Sequence, residues 1–237
     1  MSAPYRLNEP GNCTEGAHHA PGDFCRADAL RKLCRTKFAT VYPKGAIIFC
    51  EGQESRGVYL LCAGRVKLST SSGDARVLIT QIAERGEILG LNAALSGDAY
   101  EVTAEAIEPC RLTFIGREQF LRFLDEQSGA ALRAARQMSV NYRAAFEQAR
   151  LLGLSQSAAG KLARFLLESC SREAHLTGTS ARLVLTLTHE EIGQRIGASR
   201  ETVTRLFSEF KHARIIQITG AILLVHDRPA LEVLANY

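Results

Sequence analysis

Between Leu185 and Val225 the chain strings together two helix-start signals, a glycine turn and a β-hairpin, in an order that few small folds accommodate. Thr188 followed three residues later by Glu191 is a capping-box pair, which predicts a helix through Ile196 with Ile192 and Ile196 on its inner face. Gly197-Ala198-Ser199 makes the turn, and Ser199 is the N-cap of the next helix. That second helix sets Val203, Leu206, Phe207 and Phe210 at i, i+3, i+4 and i+7, and leaves Arg200, Glu201, Thr204, Arg205 and Ser208 on the opposite face. Ile215 to Ile218, Thr219-Gly220 and Ile222 to Val225 then read as a hairpin, so the unit is a winged helix-turn-helix.

The polar face suits the major groove of duplex DNA. An arginine fork binds guanine O6 and N7 together, and a glutamate accepts from the cytosine N4 amine, so Arg200, Glu201 and Arg205 are equipped for G and C readout. Ser199, Thr204 and Thr188 complete the candidate DNA-facing set. The alternative is a surface ion-pair helix, because Glu201 and Arg205 are spaced i, i+4 and would pair on any exposed helix. The formal net charge is +4, and between residues 161 and 220 there are nine Lys plus Arg against six Glu and no Asp. Positive charge concentrated there points to a polyanion.

Upstream, the texture is different. Residues 1–27 carry prolines and glycines with little apolar periodicity and predict an irregular arm holding Cys13 and Cys25. A short amphipathic helix is expected over 28–38, with Leu30, Leu33 and Cys34 on one side. From 46 to 115, apolar segments (46–50, 58–62, 65–69, 77–82, 100–106 and 111–115) alternate with glycines, which predicts a sandwich or jelly-roll barrel. The period then turns helical: Leu132, Ala135, Ser139, Tyr142, Phe146, Ala149 and Leu152 advance by three and four, a heptad-like seam that favours a homodimer coil over packing on its own domain. The expected organisation is α+β: arm 1–27, β-roll 28–125, dimerisation helix 126–153 and winged helix-turn-helix 154–237.

A β-roll, a long helix and a winged helix-turn-helix carrying Ser199-Arg200-Glu201-Thr202-Val203-Thr204-Arg205 closely resemble the Crp/Fnr family of bacterial transcription regulators. The resemblance implies a cyclic-nucleotide-binding-like roll and palindromic sites with TGTGA or TTGAT half-sites, read at the positions of Glu201 and Arg205. It also implies RNA polymerase as a partner if the protein activates. Arg200 matches the additional arginine of the catabolite-activator branch, while Thr204 resembles the serine of the Fnr branch. Cyclic-AMP-binding members place a glutamate after the cassette glycine and an Arg-Ser pair further on. Here Leu91 and Tyr100-Glu101 stand at those places, so no cyclic AMP is expected: a phosphate facing Glu101 would be repelled. In Fnr-type regulators four cysteines hold a 4Fe-4S cluster, which nominates Cys13, Cys25, Cys34 and Cys110 as ligands, with His18 or His19 as substitutes. On that basis the Fnr-type, redox-sensing branch is expected, with thiol-redox or small-effector control as the alternative.

Seven cysteines, no CxxC and no apolar run near the start argue against a secreted disulfide scaffold, and predict a cytoplasmic protein with reduced thiols. Cys50 and Cys62 read as core, and Cys170 as a candidate oxidation site. No apolar run approaches the roughly 18 residues a membrane span requires. An enzyme is not expected: a cupin-like barrel needs histidine ligands, yet none occurs between His19 and His175, and GxxxxGK, GxGxxG and GxSxG are absent.

Overall fold

The computed structural model describes residues 39–74, 76–154, 157–177 and 182–235. The expected arm, the helix over 28–38 and Cys13, Cys25 and Cys34 lie outside them. The chain divides into two compact units, the first described over 39–70 and 80–145, the second over 71–79 and 146–235.

The first unit is a β-roll. Its strands are β1 (Ala39–Tyr42), β2 (Ile47–Phe49), β3 (Gly57–Ala63), β4 (Val66–Ser71), β5 (Val77–Ala83), β6 (Ile88–Leu89), β7 (Thr103–Ala106) and β8 (Cys110–Gly116), with a short helix α1 (Leu91–Ser96) after β6. They form two four-stranded sheets in the orders β1-β8-β3-β6 and β2-β7-β4-β5. Phe49, Leu61, Val66, Ala83, Leu89, Ala104 and Leu112 pack between the sheets. The other face of β3 and β8 is covered too: Val58, Leu60, Cys62 and Ile115 meet Phe120 and Phe123 of α2 (Arg117–Glu126), and Ala130 and Ala134 of α3 (Ser128–Leu154). A strand buried on both faces has no reason to alternate, which is why β3 reads Val58-Tyr59-Leu60-Leu61-Cys62 without interruption.

Three strands escaped the sequence reading. β1, β6 and β9 (Arg182–Val184) are two to four residues long, too short to show a period of two. Tyr100, expected in a strand, instead sits in the loop before β7, with its ring stacked on Phe49 at 4.0 Å between centroids. The short β6 is braced by a side chain. Gln137 of α3 donates to the Ile88 carbonyl at 2.8 Å and accepts from the Ile88 amide at 2.9 Å, so buried backbone groups outside the ladder are paired.

Along α3, Ala130, Ala134, Gln137, Gln148 and Leu151 are buried, which marks the protomer-facing stripe. The predicted seam lies on the other side except for Leu152, which is half-buried beside Gly197. Leu132 is 54% exposed, Tyr142 74% and Phe146 54%, and Ala135, Ser139 and Ala149 are exposed with them.

The second unit holds α4 (Ala158–Thr177), β9, α5 (His189–Ile196), α6 (Arg200–His212), β10 (Ile216–Thr219), β11 (Ile222–Val225) and α7 (Arg228–Ala235). β11 lies between β10 and β9, with Leu223 opposite Leu183. One core joins them: Leu162, Leu166, Ile192, Ile196, Val203, Phe207, Leu223 and Leu231. Cys170 belongs to this core at 1% exposure, which corrects its reading as an accessible thiol. Cys50 is corrected the other way: it follows β2 into a turn and is exposed, whereas Cys62 is buried as expected.

Candidate nucleic-acid interface

The two short helices are built as their capping residues dictate. Thr188 accepts from the Glu191 amide at 3.2 Å, while the Glu191 carboxylate accepts from the Thr188 amide at 2.8 Å and from the Thr188 hydroxyl at 2.9 Å. The capping box is complete. Gly197 ends α5 in the left-handed conformation at φ +67°, a position that favours glycine. Gly193 is needed for a different reason: a Cβ there would lie 2.5 Å from the Ala198 carbonyl oxygen, so a side chain would push α5 away from the turn. Ser199 caps α6 by accepting from the Thr202 amide at 3.2 Å. The oxygens of Thr188 and Ser199 are thus spent on orienting the helices.

Val203, Leu206, Phe207 and Phe210 of α6 are buried, while Arg200, Glu201, Thr204, Arg205 and Ser208 are exposed on one stripe. The Glu201 carboxyl is lowered in pKa by its own backbone N–H and by the Ser199 hydroxyl, with Arg200 adding a smaller contribution. It therefore stays an ionised, acceptor-only group as pH falls into the usual carboxylate range. Arg205 does not pair with Glu201 as its spacing suggested. Its guanidinium reaches one turn the other way, to Glu209 at 2.5 Å, which leaves Glu201 facing outward at the helix start. Lys211 and His212 in the last turn of α6, and Arg214 just beyond it, are exposed as well.

Sequence reasoning missed His189, the first residue of α5. Its Nδ1 lies 2.9 Å from the Thr204 hydroxyl, and its ring stacks on Phe207 with centroids 4.9 Å apart. Thr204 in turn donates to the Arg200 carbonyl at 2.9 Å. No periodicity or motif announces a contact between residues fifteen apart; only the folded turn brings them together.

In the roll, a cavity is lined by Gln81, Glu87, Leu91, Glu101 and Asn141 among others, with no Lys, Arg or His among the described residues of its wall. Tyr100 donates to the Gly57 carbonyl at 2.7 Å, and its ring lies so close to Gly90 that a Cβ there would sit 2.5 Å from Cε1. Glu87 and Glu101 place two carboxylates in that wall.

Cys110 is 1% exposed, and its one thiol proton is shared between the carbonyls of Arg65 and Glu108, both 3.1 Å away. Burial raises its pKa above the ordinary thiol value, and the Glu108 carboxylate pushes the same way. A Cβ on Gly64 would lie 2.7 Å from the sulfur, so the niche is closed on that side. Among the described residues no three His, Cys, Asp or Glu side chains gather as a metal site. In the native protein iodoacetamide should modify Cys50 rapidly and leave Cys62, Cys110 and Cys170 protected until denaturant is added. Peptide mapping reads this directly, and fast labelling of Cys110 would contradict the geometry.

Two family models match the chain: the cyclic nucleotide-binding domain over residues 39–127 and the Crp-like helix-turn-helix domain over 160–234. The transcriptional activatory protein AadR of Rhodopseudomonas palustris is 30% identical over 197 residues, 81% of this chain and 79% of that protein. The CRP-like cAMP-activated global transcriptional regulator of Mycobacterium tuberculosis is 25% identical over 203 residues, 86% and 90% of the two chains. The solved structure of FixK2 from Bradyrhizobium japonicum, 25% identical, superposes with a TM-score of 0.70 over 83% of this chain and 96% of that one.

Proposed function

The chain belongs to the Crp/Fnr family of DNA-binding transcription regulators, and from that premise we propose that it acts as a homodimer on palindromic operators, reading each half-site through α6. The observation that carries this is the exposed stripe Arg200, Glu201, Thr204 and Arg205, set on a helix whose other face is entirely core. Arg200 and Arg205 offer forks for guanine, Glu201 an acceptor for cytosine, and Thr204 a small group between them. Ser199 and Thr188 hold the two helix starts against the duplex. The half-sites, of TGTGA or TTGAT type, would lie about one helical turn apart, as dimer symmetry requires. RNA polymerase is the further partner if the bound dimer activates.

The proposed input is redox rather than cyclic AMP. Against the nucleotide stand the carboxylate-lined cavity and the tyrosine packed over Gly90. For redox control stand Cys13, Cys25 and Cys34 near the start of the sequence, the first two in an arm with few apolar residues to join a core. A 4Fe-4S cluster held by these three and Cys110 is the specific form of that reading. Cys110 does not fit the role as it is held: a cluster ligand is a thiolate with room for iron beside it, whereas this sulfur is buried with its proton shared between two carbonyls. Thiol oxidation among the N-terminal cysteines asks nothing of Cys110.

The test is one series on full-length protein purified without oxygen. Iron and sulfide analysis is followed by operator binding before and after exposure to air, and with cyclic AMP added. A redox-dependent affinity that cyclic AMP leaves unchanged is the expected result. A strong, saturable gain with cyclic AMP, or binding indifferent to oxidation, would overturn the sensory part. Iron-free protein that still responds to oxidation would select the thiols over the cluster.

A further inference from the structure

Thr204 has one hydroxyl proton, and it is given to the Arg200 carbonyl at 2.9 Å. The contact at 2.9 Å to His189 must therefore run the other way, with Nδ1–H donating and the Thr204 oxygen accepting. The imidazole is itself fixed, because it lies nearly parallel to the buried Phe207 ring, 17° from coplanar. The hydroxyl of Thr204 is thus turned back along α6 and held from two directions. With its proton spent, Thr204 can donate to no acceptor on a base in the major groove, and its methyl group is the apolar contact it offers there.

We propose that His189 is a specificity-determining positioning residue: by locking the Thr204 hydroxyl it makes this position read a thymine 5-methyl through apolar contact rather than a hydrogen-bond acceptor. The inference rests on the DNA-reading role proposed above for α6. A threonine free to rotate would offer its hydroxyl to guanine O6 or N7 or to thymine O4, and would discriminate poorly. A locked threonine favours the one base that carries a methyl in the groove. Covering one methyl group is worth about 4-fold in affinity per half-site, or about 15-fold for a symmetric dimer.

The test uses the full-length dimer and the palindromic duplex that the wild-type protein selects from a random pool. Each thymine is replaced in turn by deoxyuridine in both half-sites, which removes the methyl and nothing else. At one position the wild type should lose about 15-fold, and Thr204→Ser, which keeps the hydroxyl but lacks the methyl, should lose that sensitivity. His189→Phe keeps the ring stack on Phe207 without the donor, so it should fold and yet show a thymine-to-uracil ratio near one at that position. His189→Gln, whose amide can donate again, should restore the ratio. A merely structural role for His189 would lower affinity for both duplexes equally and leave the ratio unchanged, which would overturn the proposal. An unchanged ratio in Thr204→Ser would do the same. If no duplex is selected at all, it is the DNA-reading role that fails, and the two failures are distinguishable.

Discussion

Replacing Arg205 with alanine should reduce affinity for the cognate palindrome by about 2 to 6 kcal/mol while barely changing binding to unrelated DNA. The range follows from a good bidentate arginine–guanine contact being worth about 1 to 3 kcal/mol, and from a dimer carrying the substitution in both half-sites. The pairing with Glu209 bears on whether the arginine is available. Their side chains are 64% and 51% exposed, and exposed pairs contribute at most about 1 kcal/mol, less in salt, so a guanine edge outcompetes the carboxylate. Glu209 then serves to keep the fork folded along the helix when no duplex is present. Fluorescence anisotropy on cognate and scrambled duplexes at one fixed salt concentration measures the effect. An equal loss on both duplexes would mean that Arg205 grips phosphate, and the specificity assigned to it would have to move to Arg200 and Glu201.

The distinction between Arg205 and Glu201 also shows where sequence reasoning was sufficient. The caps at Thr188 and Ser199, the Gly197 turn and the buried stripe of α6 are all local: each signal lies within four residues of its effect, so the unit could be read before it was seen. The same spacing logic failed for the ion pair. Glu201 and Glu209 both stand four residues from Arg205, one on each side, and spacing cannot choose between them. In the folded chain the Ser199 hydroxyl and the backbone N–H of Glu201 itself hold the Glu201 carboxylate, and Arg205 pairs with Glu209. His189 was illegible for a related reason, since its partner Thr204 belongs to another helix. The cysteines show the limit most sharply. Cys50 sits in an apolar-looking segment but falls one residue past β2, and Cys170 has polar neighbours but lies on the inner stripe of α4. For a small residue, one position of register decides between core and solvent.

Register likewise governs the largest effect expected on assembly. On α3 two stripes advance by threes and fours, one buried in the protomer and one bearing Leu132, Tyr142 and Phe146 at the surface. A seam with that spacing is satisfied by the same seam of a second copy, packed near the helix axis. Phe146→Glu should therefore yield a monomer. At a symmetric interface it sets a carboxylate beside its own image, and two unpaired charges taken out of water cost several kcal/mol more than the packing they replace. Because Phe146 is 54% exposed in the protomer, the variant should keep its helical content and melting temperature at low concentration. Its affinity for the palindrome should fall by at least about 100-fold, since two half-sites joined in one dimer bind with an effective concentration that separate monomers lack. A half-site duplex separates the causes: wild type and variant should bind it with similar weak affinity if the reading helix is intact. Sedimentation analysis alongside the binding curves checks both, and a variant that stays dimeric would place the dimer contact on some surface other than this helix.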